Sequence, residues 1–306
     1  MRQVKYILVL MLLLAAPLQS AAENPAVLTK NESLEVEAVL YEEPLSAIYE
    51  AIKTKQYDGV RKFFTDEGWA AFTQFTDYGE IRQMGKADYR FFAANEKVYA
   101  RGINVTVSRK LNGAQTFVEP VTFTFNEDKK IINVCFGIDK ETEEDILGRK
   151  AYTKGERGAI LDFLENYRSA YAFKRIDYLR SIYADNALFI SGSIVKASPN
   201  KTETEKYDYN QRSKKEFIAN QERSFCRYSA IRLSYNEIIV KKSAKGNVFG
   251  INIKQRFQSD KYSDEGFVFL IVSFIDTYNP VVRVRTWQPE EDPMFGVYSL
   301  DDFPLL

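Results

Sequence analysis

The strongest constraint on this chain is that much of its sequence is written twice. Lys55–Gly68 reads KQYDGVRKFFTDEG and Lys174–Ala187 reads KRIDYLRSIYADNA. At an offset of 174 − 55 = 119 they share Lys55/Lys174, Asp58/Asp177, Arg61/Arg180 and Asp66/Asp185, and apolar Val60 and Phe63 fall on Leu179 and Ile182. Further on, RGINV from Arg101 meets FGINI from Phe249 at an offset of 249 − 101 = 148. VTFTFNEDKKIINV from Val121 then meets IVSFIDTYNPVVRV from Ile271 at 271 − 121 = 150. An internal repeat of this kind makes each copy one structural unit. The second copy carries 148 − 119 = 29 extra residues between its helices and its GIN strand. Lys196–Lys215, polar and turn-rich, reads as a long loop within that insertion.

Each copy places helices first and strands after. Ile160, Phe163, Leu164, Tyr167 and Tyr171 recur at helical spacing, and a short helix follows over Ile176–Tyr183. In the first copy the helices are Pro44–Lys53 and Tyr57–Phe64. Helices grouped ahead of antiparallel strands predict an α+β fold rather than α/β. The expected organisation is a first repeat over 34–148, a second over 149–290 and an extended tail over 291–306. The strand GFVFLIVSFID is apolar on both faces from Phe267 to Ile275, apart from Ser273. A strand with one wet face would alternate. The two sheets are therefore expected to pack together as a pseudo-dimer inside one monomeric chain.

The segment from Tyr167 to Gly192 resembles the opening of the nuclear transport factor 2-like superfamily. The residues that carry the likeness are Tyr167, Asp177, Leu179, Tyr183, Ala184, Asp185 and Ala187. The resemblance implies a cone, in which a curved antiparallel sheet wraps a long helix and leaves a pocket at the open end. It covers the second copy well and the first more weakly. Tyr167 matches the tyrosine that donates to the oxyanion in ketosteroid isomerases of this superfamily. The place of their aspartate base is held by Ser191. A serine without a base does not take a proton from carbon near neutral pH. The first-copy counterpart of Tyr167 is Ile48, which has no polar handle. The resemblance thus implies the fold and argues against the isomerase reaction.

The pocket candidates are Tyr167, Tyr171 and Ser191. In the last strand, VVRVRTW, simple alternation puts Arg283, Arg285 and Trp287 on one face, a candidate surface for an anion, an aromatic ligand or a partner protein. A solvated face is the bland alternative. Asp58, Asp66, Asp177 and Asp185 read as helix and turn punctuation. DKETEED, Asp139–Asp145, reads as a solvated helix start that links the two halves.

Several chemistries are excluded at this stage. The chain has no histidine, so it offers no histidine base, no Ser-His or Cys-His nucleophile pair and no histidine-held metal. Two cysteines, Cys135 and Cys226, are too few for a structural zinc; they either pair or sit apart as buried thiols. No cofactor or metal is expected. Forty-two basic residues balance forty-two acidic ones, which gives no nucleic-acid surface. Arg2 and Lys5 precede a ten-residue apolar run, Ile7–Ala16, and Ser20-Ala21-Ala22 offers a cleavage site. Residues 1–22 therefore read as a signal peptide without a lipoprotein cysteine, and 23–33 as a leader. No membrane span is expected later in the chain. The reading that follows is a periplasmic or secreted binding or scaffold protein, non-enzymatic, that holds a small apolar ligand or a protein partner of the cell envelope. The alternative is a cofactor-free dehydratase, cyclase or isomerase using a pocket tyrosine.

Overall fold

The computed structural model describes residues 27–28, 32–83, 87–112, 114–194, 207–244, 246–293 and 296–303. The signal-peptide reading and most of the predicted loop at 196–215 lie outside them. The described chain holds two six-stranded sheets with helices packed on both, an α+β architecture in two units.

The first unit opens with β1 (Val27–Leu28), α1 (Glu32–Thr54), a 3-10 turn (Asp58–Phe63) and α2 (Asp66–Asp77). Its strands are β2 (Glu80–Gln83), β3 (Arg90–Ala94), β4 (Lys97–Leu111), β5 (Ala114–Phe125) and β6 (Ile131–Phe136). They pair antiparallel in the order β1-β3-β4-β5-β6, with β2 also on β4. A short helix, α3 (Lys140–Gly148), leads to the second unit. There α4 (Lys154–Ala172) and α5 (Ile176–Ile182) precede β7 (Tyr183–Ile194), β8 (Tyr207–Arg212) and α6 (Lys214–Arg227). Four strands follow: β9 (Ile231–Lys242), β10 (Val248–Ser259), β11 (Ser263–Ser273) and β12 (Val281–Gln288). The order in this sheet is β8-β7-β12-β11-β10-β9, antiparallel except for the β12–β7 pair.

The repeat has physical content. Lys55 and Lys174 both take left-handed φ, 61° and 56°, just past a helix end, a place where a chain reverses. Their ammonium groups then donate to backbone carbonyls, Lys55 to Ile81 and Lys174 to Tyr228. Thr65 caps α2 and Ser213 caps α6, each accepting from the backbone three residues on, and 213 − 65 = 148. Phe64 forms a parallel bridge with Ile131, as Tyr183 does with Val282. The 29-residue difference therefore falls between Phe64 and Thr65. In the second unit that interval is residues 184–212, within which Phe189–Ile194 of β7 pair antiparallel with Tyr207–Arg212 of β8.

Three expectations need correction. Helices α2 and α6 and strand β8 were not expected. The β7 strand begins directly at Tyr183, so Asp185 lies inside it, while Asp66 stands in the first turn of α2. The tail is not simply extended: it forms a 3-10 turn at Leu300–Asp302 and packs Tyr298, Leu300 and Phe303 on the outer side of β11. Those side chains cover Phe269 and Ile271, the face assigned in sequence to the first sheet. Strand β11 is covered twice, but by its own tail.

The two units meet through α4 and also directly, where Arg232 of β9 reaches Glu119 of β5 at 2.5 Å and the Tyr78 hydroxyl donates to the Ile231 carbonyl at 2.7 Å. From α4, Phe163, Tyr167 and Tyr171 join the core of the second sheet. The opposite side of the helix carries Asp162, Glu165 and Asn166, and these meet Lys97 at 3.2 Å, Arg101 at 2.9 Å and Asn133 at 2.8 Å on the first sheet. Glu165 also accepts from Thr122 at 2.9 Å. Arg168 donates to Glu119 of β5 and to the Leu233 carbonyl of β9, at 2.8 Å for the latter. The first sheet is thus buried on both faces: Phe91 packs with α1 and α2, while its neighbour Phe92 joins the core around α4.

Candidate functional site

The interior of the first cone is filled by rings. Phe64, Trp69 and Phe72 lie 5.0–5.6 Å apart between centroids, and Phe75 is 6.2 Å from Phe72. Ile48 is buried in the same core.

The second cone is open. A cavity of about 240 Å³ is lined by Tyr171 from α4, Ser191 from β7, Arg212 from β8 and Phe217 from α6, with Gln255, Phe257, Asp264, Arg285 and Trp287 from the later strands. Four of the six residues singled out in sequence, Tyr171, Ser191, Arg285 and Trp287, converge here. The β12–β7 register sets Trp287 beside Ser191 and Arg285 beside Phe189.

The remaining two stand elsewhere. Arg283 is exposed on the outside of the sheet. Ile271 pairs with Val284 but Val272 with Val282, so a β-bulge leaves Arg283 as the extra residue. The bulge shifts the alternation by one, and Arg285 turns inward while Arg283 does not. Tyr167 is fully buried and does not line the cavity. Its hydroxyl accepts from Nε of Arg285 at 3.1 Å and lies 3.2 Å from the Tyr183 hydroxyl and 3.4 Å from that of Tyr171. Tyr167 and Ser191 therefore do not meet in the cavity: Ser191 lines it, and Tyr167 lies outside the lining, bonded to Arg285.

Arg285 is 9% exposed and lies 5.1 Å over the ring of Phe217, which stacks on Phe189 at 4.3 Å. Arginine stays protonated at any working pH. The site thus presents a fixed cation on an aromatic floor. Burial, and then the neighbouring Tyr167, push the Tyr171 hydroxyl well above the usual tyrosine range, so it remains a donor.

Asp264, Gln255 and Phe217 were missed in sequence. Asp264 accepts from the Tyr262 hydroxyl at 2.9 Å. Burial raises its carboxyl above the ordinary aspartate value, against the opposing effects of that hydrogen bond and of the Arg285 charge. Gln255 is 4% exposed, and its Oε1 is buried with no hydrogen-bond partner among the described residues. Gly266 keeps the wall thin: a Cβ there would fall 2.9 Å from the Trp287 ring and 2.3 Å from the Gln288 carbonyl oxygen.

Cys135 and Cys226 are not bonded to each other. Cys135 is buried, and burial pushes its thiol up to about 12; Cys226 is exposed. No described helix is long and apolar enough to cross a membrane.

No known protein family matches the chain, and neither does any curated protein. The solved structures similar to it include nuclear transport factor 2-like and cystatin-like proteins. A nuclear transport factor 2-like protein from Cytophaga hutchinsonii is 16% identical, with 44% of this chain and 97% of that one covered at a TM-score of 0.32. ActVI-ORFA from Streptomyces coelicolor is 9% identical, with 42% and 94% covered at 0.32. Bd1075 from Bdellovibrio bacteriovorus is 10% identical, with 66% and 93% covered at 0.35. These likenesses concern the fold, and nothing about ligand or reaction is drawn from them.

Proposed function

We propose that this chain is an exported binding protein that holds one small amphipathic molecule in the cone of its second unit. The observation that carries the reading is the buried Arg285, set on the Phe217 ring and open to a cavity with Trp287 and Phe257 in its walls. Pockets of mostly apolar lining with a few placed polar groups are the usual form of a small-molecule site. The first unit, its interior filled, serves as the support against which α4 is held. Export rests on the residues at 1–22, and a role in the cell envelope follows from it.

Trp287 supplies the test. The chain has two tryptophans, so Trp69→Phe leaves Trp287 as the sole reporter. Titration with a panel of small aromatic acids, alcohols and amines is expected to quench or shift its emission saturably for at least one class. A flat response to every class overturns the binding reading. Sequencing the N-terminus of the protein recovered from its host tests export; an intact Met1 would count against it.

Asp264 favours a second reading, a cofactor-free isomerase or dehydratase. A partly buried carboxyl with a raised pKa and a protonated tyrosine in one cavity lining are the equipment of acid–base chemistry. Solvent deuterium entering a bound enolisable ketone, and lost in Asp264→Asn, would support it.

A further inference from the structure

The ligand's chemistry can be narrowed by what the pocket leaves unpaired; this step rests on the binding reading above. Arg285 forms no ion pair with any described carboxylate; its charge only partly opposes the burial that raises the Asp264 carboxyl. The Arg285 Nε donates to the Tyr167 hydroxyl, a neutral acceptor. A buried cation without a counter-charge is costly, and an incoming anion removes that cost. Arg212, half-buried in the same lining, adds a second positive charge.

Two acceptors line the same cavity. Gln255 Oε1 is buried and unsatisfied, and the Asp264 carboxylate has accepted only the Tyr262 hydroxyl. Both ask for a donor. Phe217, Phe257 and Trp287 are flat walls suited to a ring. At the ~30 Å³ that a water molecule occupies in the liquid, 240 Å³ holds on the order of ten non-hydrogen atoms.

We propose that the pocket takes an aryl carboxylic acid that also carries a hydroxyl or amino donor. Its carboxylate pairs with Arg285, a bidentate match that guanidinium makes well. The ring lies among Phe217, Phe257 and Trp287, and the distal donor meets Gln255 and Asp264.

Isothermal titration of the intact chain with 3- and 4-hydroxybenzoate, benzoate and 4-hydroxybenzyl alcohol tests each part. One of the hydroxybenzoates is expected to bind at least tenfold tighter than both benzoate and the alcohol. A site that hydrogen-bonds a hydroxyl rejects the analogue lacking it because its own polar groups are then left unpaired. Gln255→Leu should bring the hydroxybenzoate affinity toward that of benzoate, with the melting curve confirming the fold. If the neutral alcohol binds as tightly as the acids, the anion assignment fails and the pocket reading stands. If benzoate equals the hydroxybenzoates, the donor assignment fails. If no probe binds, the aryl-acid assignment fails, and the Trp287 titration decides separately whether the binding reading falls as well.

Discussion

Nε of Arg285 donates to the hydroxyl of Tyr167 at 3.1 Å, from a strand near the end of the chain to a helix more than a hundred residues earlier. That bond fixes the direction of the buried arginine in the cavity lining. It gives Tyr167 a positioning role rather than a place in the cavity. Tyr167→Phe should cost about 1–3 kcal/mol, the penalty of a buried polar group left unmatched. Urea unfolding measures the loss, and ligand affinity should fall with it. A variant as stable as the parent would show that Arg285 finds another acceptor.

Arg101 and Glu165 form a buried two-bond pair across the two units, at 2.9 and 3.2 Å. Burial still raises the Glu165 carboxyl above its ordinary value despite Arg101 and Thr122. Glu165→Gln leaves the arginine unpaired and should cost about 3–5 kcal/mol, while a double change to Met at both positions should recover much of it. A full double-mutant cycle by chemical denaturation separates the two outcomes.

Because α4 packs on both sheets, the whole chain should melt in one transition, with calorimetric and van't Hoff enthalpies equal. The fragment 149–306 exposes Asp162, Glu165 and Arg168 without partners and should be less stable than the same residues in the full chain. Two resolved transitions would show that the units fold independently.

Asp264 has a folded-state pKa above the 3.8 of a free aspartate. Between the two values the folded state holds more protons than the unfolded one, so stability falls as pH rises through that window. Asp264→Asn should therefore be more stable than the parent at neutral pH. The difference should vanish once the pH drops below the ordinary aspartate value. Melting temperatures across pH 3–8, an illustrative span of about five units around that window, would check the sign.

Native protein should react with a thiol reagent at one site, the exposed Cys226. Buried Cys135, its thiol pushed up to about 12, should react only after denaturation. Counting released chromophore before and after adding guanidinium settles it.

Much of the scaffold was legible because it rests on local signals. The Lys55/Lys174 and Asp58/Asp177 pairs mark the same bend in both units, and the stripe from Ile160 to Tyr171 does face the second sheet. Helix α6 was hidden in a polar stretch, although Ser213 and Glu216 form a capping box that announces it. The site was legible in part. Period-two reading placed Arg285 and Trp287 together correctly but carried Arg283 with them, since a bulge leaves no residue signature in VVRVRTW. Asp264 and Gln255 reach the pocket only through sheet curvature and strand register, which are properties of the assembled sheet. The tail covers β11 by a long-range contact of the same kind.

The interval 184–212, which holds most of β7 and all of β8, also sets a direction for how such a chain can change. It supplies Ser191 and Arg212, and the Phe189 on which Phe217 rests. The first half would need that wall before any choice of ligand-contacting residue could matter. For the second half, one deletion would join Tyr183 to Ser213 as Phe64 is joined to Thr65, and would remove Ser191 and Arg212 from the lining together with the Phe189 that stacks on Phe217. The cavity wall is thus carried by an interval that the first half lacks, while the helix bend beside it is common to both halves.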